Sequence, residues 1–476
     1  MLFNSFEFLI FFPVVTLIYF LLPHQWRWLH LLIASCIFYM ALIPVYILIL
    51  VFTIVIDYFA GIIIERSTGR KRKFYLVISI IANVGVLAVF KYYNFFIENV
   101  NELLGQANIH SSIPYLKIIL PVGLSFHTFQ AMSYTIEIYR GNFSAERHFG
   151  IYALYVMFFP QLVAGPIERP QNLLPQFREK HKFDSTRLYE GLRLMLWGLF
   201  KKVLIADRLS LYVNTVYGDV AGHSGSNLAL ATLFFAIQIY CDFSGYSDIA
   251  IGCARVMGFK LMTNFNRPYF AKNIQEFWKR WHISLSTWFR DYVYISLGGN
   301  RVSWRRVYFN VAIVFLLSGF WHGANWTFIV WGGFHAFLII SYMLYKEYIH
   351  TRTTYSGLLS KVLSILLTFI LVCFGWIFFR ASSMKEAYVI ITKIMHFSFS
   401  DFEMVIKGKE TMFGITATLI SFAMISLLWL NDYFQDTQQK ALHNKPVADV
   451  VYSGIILFLV ISLGVFQKTS FIYFQF

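Results

Sequence analysis

The sequence predicts an all-α polytopic membrane protein, and three observations carry that prediction. Hydrophobic residues make up 58% of the chain and charged residues only 14%. The mean hydropathy is +0.58. Apolar runs of roughly 15–25 residues, about the length of a bilayer-crossing helix, recur along the chain. None of these runs shows the strand-period alternation that a closed membrane barrel requires.

Candidate spans fall near 8–22, 28–42, 44–64, 74–96 and 115–137, then near 190–215, 228–252, 307–320, 324–345, 358–379, 411–430 and 448–466. About eleven to thirteen hydrophobic helices are therefore expected. The shorter run 149–164 is interrupted by Pro160 and suits a re-entrant or partly buried segment. The N-terminal run lacks a basic lead and a small-residue cleavage site, so it reads as a retained span. No internal repeat or low-complexity segment stands out. Residues 1–476 read as a single membrane domain with short loops, the longest polar excursions being 165–189, 380–410 and 431–446.

Charge placement orients the chain. The loop Glu65–Lys73 carries five basic residues against one acid and should face the cytoplasm. Between Arg255 and Arg306 there are ten Lys or Arg residues and only two acids, Glu276 and Asp291, which places that stretch on the same side. The loop Tyr217–Asn227 is nearly uncharged and reads as external. The net charge of +15 is then a topology signal plus attraction to anionic membrane lipid. Nucleic-acid binding is excluded as an explanation, because the basic residues are dispersed around spans. Cys36, Cys241, Cys253 and Cys373 stand alone without a CxxC pair, so no metal or redox site is expected and they read as small apolar side chains.

Two polar stretches interrupt this background. The first, QIYCDFSGYSDIAIGCARVMGF (238–259), carries Asp242, Ser244, Tyr246 and Asp248 around Gly245. Two carboxylates in an apolar run must be paired, solvated or turned to a cavity. They either bond to helix ends and basic residues such as Arg255, or line a polar approach to a site. The following LMTNFNRPYFAKN contains Asn264, Asn266 and Pro268 and cannot continue a membrane helix smoothly.

The second, IQEFWKRWHISLSTWFRDYVYISLGGNR (274–301), holds His282 among Trp278, Trp281 and Trp288. Read as one helix, it sets Phe277, Trp281 and Trp288 near one face and Trp278, His282 and Phe289 near the next. Such a helix would lie along the membrane interface with its rings at headgroup depth. Its histidine is either part of that anchor or a chemical group. Forty residues on, His322 sits in FLLSGFWHGANW, where Ser318, Gly319 and Gly323 should loosen the helix between two apolar runs. An ionisable side chain at that depth is costly, and its default reading is functional. A neutral imidazole there can accept a proton from an attacking hydroxyl. The alternative is a structural histidine bonded to a backbone carbonyl. His335, on an uninterrupted apolar helix, reads as structural. Lys279, Arg280 and Arg290 either attract the phosphates of a ligand or pair with lipid headgroups. Trp278, Asp291, Asp242, Ser244, Tyr246 and Asn325 complete the candidate substrate contacts.

The ordered passages PVGLSFHTFQAMSYTIEIYRG (121–141), FFPQLVAGPIERP (158–170), GLFKKVLIADRL (198–209), the 238–259 block, NFNRPYF (264–270), EFWKRWHISLSTWFRDYVYISLGGNR (276–301), LSGFWHGANWTFIVWGGFHA (317–336), FGWIFFRA (374–381) and FIYFQF (471–476) run nearly end to end. On them the chain resembles the membrane-bound O-acyltransferase superfamily, and within it the bacterial alginate O-acetyltransferase-like branch. The resemblance implies a ring of transmembrane, tilted and re-entrant helices around a central funnel. It makes His322, in the WHG element, the principal catalytic residue, and gives His282, in RWHISLS, a second, less defined role.

The reaction it implies moves an acyl group, acetyl by expectation, from acetyl coenzyme A in the cytoplasm toward an exported polysaccharide or peptidoglycan. An SGNH-hydrolase-type partner outside the bacterial cytoplasmic membrane is expected to complete the transfer. No bound cofactor is implied. Two competing readings are a secondary transporter or flippase, against which the absence of repeated halves weighs, and a non-catalytic scaffold for polysaccharide export.

Overall fold

A computed structural model describes residues 1–41, 43–109, 111–118, 120–163, 165–348, 357–398, 401, 414–443, 446–466 and 471–472. Every regular element among them is helical. Residues 473–476 of the terminal motif, and 399–400 and 402–410 of the 380–410 excursion, lie outside the described residues.

The helices are α1 (Phe6–Leu21), α2 (His24–Met40), α3 (Ile47–Arg66), α4 (Gly69–Leu87), α5 (Tyr93–Gln106), α6 (Leu124–Arg140), α7 (Phe149–Met157), α8 (Phe159–Leu162), α9 (Pro170–Leu173) and α10 (Ser185–Leu199). They continue with α11 (Asp207–Gly218), α12 (Gly225–Met257), α13 (Ile274–Arg280), α14 (Ile283–Phe289), α15 (Trp304–His322), α16 (Trp326–Tyr348), α17 (Leu358–Arg380), α18 (Met384–Met395), α19 (Ile415–His443) and α20 (Pro446–Leu463). Six stretches are long and apolar enough to cross a membrane: Pro44–Arg66, Gly69–Gln106, Gly225–Met257, Trp326–Tyr348, Leu358–Arg380 and Ile415–Phe434. Phe6–Leu21 and Val447–Leu463 are shorter apolar helices.

One expected span changes shape, and the interrupted run keeps the form expected of it. The run 115–137 is helical only from Leu124, because the chain turns through Gly123 at φ 76° first. There glycine is required twice over: the backbone is left-handed, and a Cβ would lie 2.6 Å from the Leu162 carbonyl oxygen. The run 149–164 divides into α7 and the one-turn α8 at Phe158, ahead of Pro160. This matches an interrupted segment, with Pro160 in the first turn of α8, where its missing N–H costs no helical hydrogen bond.

The described residues gather into two compact units, Met1–Leu192 with Ala250–Thr263, and Arg193–Ile249 with Asn264–Phe476. In the first, α3, α4 and α6 pack together, α3 meets α7, and α2 packs on α7 and α8. In the second, α15 and α16 form an antiparallel hairpin, and α17 packs on α16. Residues 225–249 of α12 lie almost wholly in its core.

That core holds charge. Lys202 pairs with Asp242 at 2.6 Å and Asp207 at 2.8 Å, and Lys201 pairs with Asp248 at 2.5 Å and donates to Ser244 Oγ at 2.9 Å. The neighbouring lysines lie on a π-helical stretch, Phe200–Ala206. The acids on α12 are thus neutralised by lysines and not by Arg255, whose ion pair is with Glu190.

Candidate active site

Both signature histidines lie in the second unit, and each is positioned by a different device. Residues 274–301 do not form one interfacial helix. The chain breaks between α13 and α14, and His282 occupies the break in a left-handed conformation, φ 42° and ψ 55°. That conformation costs a non-glycine residue roughly 1–2 kcal/mol, so tertiary contacts must hold it. They come from the NFN segment alongside: Ile283 N–H donates to the Asn264 carbonyl at 2.8 Å, and Asn266 N–H to the Arg280 carbonyl at 2.9 Å.

The turn drives the imidazole inward, where it is 0% exposed. Asn264 Oδ1 lies 3.1 Å from His282 Nδ1 and also accepts from Ser284 Oγ at 2.9 Å, while Asn264 Nδ2 donates to Ser247 Oγ at 3.1 Å. With the amide oriented at both ends, Nδ1 carries the proton and Nε2 the lone pair. Burial pushes the His282 pKa down to about 3, so the ring is neutral. The indoles expected at headgroup depth are buried instead: Trp278, Trp281 and Trp288 all belong to the core.

His322 is the last residue of α15, which runs unbroken to it before Gly323 turns the chain. Gly319 does not loosen this helix. It lets α16 cross close by, since a Cβ on Gly319 would lie 2.2 Å from the Phe328 carbonyl oxygen, and one on Gly332 2.3 Å from that of Phe315. Small residues at such crossings allow membrane helices to approach. His322 is 3% exposed. Its ring lies 5.0 Å from Trp331 and 5.3 Å from Phe379, both edge-on. Trp331 stacks at 6.0 Å on Trp376, which lies 5.0 Å from Trp281. Trp321 connects the histidines more directly, with ring centroids 6.2 Å from His282 and 4.9 Å from His322.

The remaining candidates divide by what they touch. Trp278 donates its indole N–H to His335 Nδ1 at 3.4 Å. Arg280 pairs with Glu276 at 2.6 Å one turn earlier, and the exposed Arg290 with Asp291 at 2.8 Å. Lys279 is exposed. Asn325 Oδ1 accepts from Thr327 N–H at 3.0 Å at the start of α16, and its Nδ2 donates to the Ser382 carbonyl at 3.0 Å. Asp242, besides its Lys202 pair, accepts the Ile472 N–H at 2.7 Å. The Phe471 ring then packs 4.6 Å from Tyr246 and 5.6 Å from Phe243, whose ring is 4.5 Å from His282. The described end of the terminal motif is thereby tied to the helix that flanks His282.

A cleft of about 200 Å³ in this unit is lined by Trp278, Leu285, Phe289, Arg290, Phe315 and Ser318 among others. Ser318 lies one turn ahead of His322 on α15. Sequence reasoning did not assign Asn264, Trp331 or Phe379 to the site. Asn264 was legible only as a helix-breaking residue, and the two rings were indistinguishable from other aromatics of apolar helices.

Comparison with known proteins decides the family. Residues 145–380 match the membrane-bound O-acyltransferase family. The chain is 36% identical over 449 residues to a probable alginate O-acetylase, AlgI, of Pseudomonas aeruginosa, covering 93% of this chain and 84% of the relative. It belongs to the membrane-bound O-acyltransferase family. Another member, a peptidoglycan O-acetyltransferase of Helicobacter pylori, is 37% identical over 424 residues, or 81% of this chain and 78% of that one. A teichoic acid D-alanyltransferase of Bacillus subtilis is 29% identical over 280 residues, covering 56% and 70% of the two chains. This family member is therefore a multi-pass membrane protein and an O-acyltransferase.

Proposed function

We propose that this O-acyltransferase moves an acetyl group from acetyl coenzyme A, on the cytoplasmic side of a bacterial cytoplasmic membrane, toward a hydroxyl on an exported polysaccharide or peptidoglycan, with His322 as general base. The observation that carries the reading is the meeting of two buried histidines across one indole, Trp321. It sits in a chain whose relatives act on alginate and peptidoglycan. The basic stretch Arg255–Arg306 supports a cytoplasmic donor side. Arg290 on the rim of the apolar cleft supports donor approach there, its guanidinium meeting phosphate while the linear arm enters among the rings.

A thioester carbonyl is already activated, so alignment and proton removal are the main tasks. His322 takes the hydroxyl proton as the oxygen attacks the carbonyl carbon. The tetrahedral intermediate collapses with loss of the C–S bond, and the proton passes to the departing thiolate. His282, neutral and with a fixed tautomer, orients the reactants or handles the second proton transfer. A separate SGNH-hydrolase-type partner passes the acyl group to the final glycan.

Reconstituted protein supplied with labelled acetyl coenzyme A tests this reading. The enzyme should transfer or slowly hydrolyse the donor, and His322→Ala should stop that consumption while leaving inserted, folded protein. A chain that consumes no donor would be a transporter or scaffold, and normal turnover in His322→Ala would remove the catalytic assignment.

A further inference from the structure

The first unit contains a buried carboxylate that acyl transfer does not use. Asp57 lies on α3 within the candidate span Pro44–Arg66 and is 0% exposed. It accepts from Ser79 Oγ at 2.6 Å and, through both oxygens, from Asn83 Nδ2 at 3.0 and 2.8 Å, both partners being on α4. Ser79 Oγ is 2.9 Å from Thr135 Oγ1 on α6. Asn83 Nδ2 also donates to the Ser79 carbonyl at 3.0 Å, which fixes which way the amide points.

Each of these contacts offers Asp57 a donor, which suits an ionised carboxylate, a group that only accepts. Yet none of the ion pairs among the described residues includes it. A lone buried carboxylate inside an apolar helix packing is neutralised either by a proton or by a compensating cation. Two further oxygens of the same cluster of helices are buried without a hydrogen-bond partner, Asn83 Oδ1 and the hydroxyl of Tyr152 on α7. Tyr152 lies within electrostatic reach of Asp57.

We propose that α3, α4, α6 and α7 build a binding site for a small monovalent cation, sodium, held by the Asp57 carboxylate with the oxygens of Ser79, Thr135, Asn83 and Tyr152. A single carboxylate balances a single charge, and neutral hydroxyl and amide oxygens are the hard ligands such an ion takes. In the second unit the Lys202 ammonium does the same job for Asp242; here the positive charge is exchangeable.

Purified full-length protein tests the site with radioactive sodium, and with thermal unfolding as sodium chloride is replaced by choline chloride at constant ionic strength. Saturable, stoichiometric binding and an unfolding midpoint that climbs with sodium are expected, because a ligand that binds only the folded state stabilises it. Asp57→Asn should lose both responses. Tyr152→Phe, which keeps the ring packed 4.3 Å from Tyr134, should bind sodium about tenfold more weakly. The proposal is overturned if wild-type protein unfolds identically in sodium and choline with no saturable binding, or if Asp57→Asn binds as wild type does. Should Asp57→Asn fail to fold, Tyr152→Phe decides: an unchanged sodium affinity overturns the site.

Discussion

His282 is held by hydrogen bonds and a left-handed turn, whereas His322 is held by aromatic rings and by the close crossing of two helices. At His282, the Asn264 amide sets both the tautomer and the ring direction. At His322, Gly319 and Gly332 bring α15 against α16, and Trp331 and Phe379 close on the imidazole from the side. The first device specifies where the proton sits. The second specifies position, and depends on volumes being right to within a methyl group.

The largest expected effect separates the two roles. His322→Ala should lower acyl-donor consumption by about 10²–10⁴-fold, the usual worth of a general base, whereas His282→Gln should reduce turnover less and change donor affinity least. Loss of folded protein in step with activity for His282→Gln would assign it to anchoring alone.

Next, Gly332→Ala places a methyl 2.3 Å from the Phe315 carbonyl oxygen and must open the crossing. A stability loss of about 1–3 kcal/mol is expected, with turnover falling alongside it. The adjacent Gly333→Ala meets only Leu316 Cδ2 at 3.7 Å and should be silent in both assays. Equal behaviour of the two variants in thermal unfolding would show that the crossing does not hold His322.

A pH measurement sharpens the His282 side. Its pKa falls from 6.5 to about 3 on folding, so below pH 6.5 the unfolded chain binds a proton that the folded chain refuses. Stability present above that pH is therefore lost as pH falls toward 3, by about 2 kcal/mol near pH 5. His282→Gln should lack this component, and parallel stability-versus-pH curves for variant and wild type would contradict the burial argument.

The smallest effect is at Asn264. Asn264→Ala removes the acceptor for Nδ1 and should cut turnover about tenfold, the equivalent of roughly 1.4 kcal/mol, with little change in KM. A rise in KM at constant turnover would instead mark Asn264 as a binding residue.

Much of this architecture was legible in the chain. Apolar runs marked the long helices of both units, Pro160 marked an interrupted segment, and the rarity of histidine between apolar runs singled out His322 before any contact was known. His335 was read as structural, and it does pair with a neighbouring indole. These are properties of local composition and spacing, which a linear reading carries in full.

The rest waited for the tertiary structure. Placing Trp278 and His282 on one helical face assumed a continuous helix, and the break at His282 depends on Asn264 and Asn266, residues that are distant along the chain but hydrogen-bond across it. Gly319 looked like a loosened helix because glycine lowers helix propensity whatever its surroundings, while its role as a crossing point belongs to the facing Phe328 backbone. Asp242 could equally have lined a passage; that it meets Lys202 follows from how α12 packs against the Phe200–Ala206 stretch. Most of the helices answer to near neighbours, so sequence alone determined them. The partner of a buried polar group is whichever group the packed chain brings within about 3 Å, and only the fold decides that.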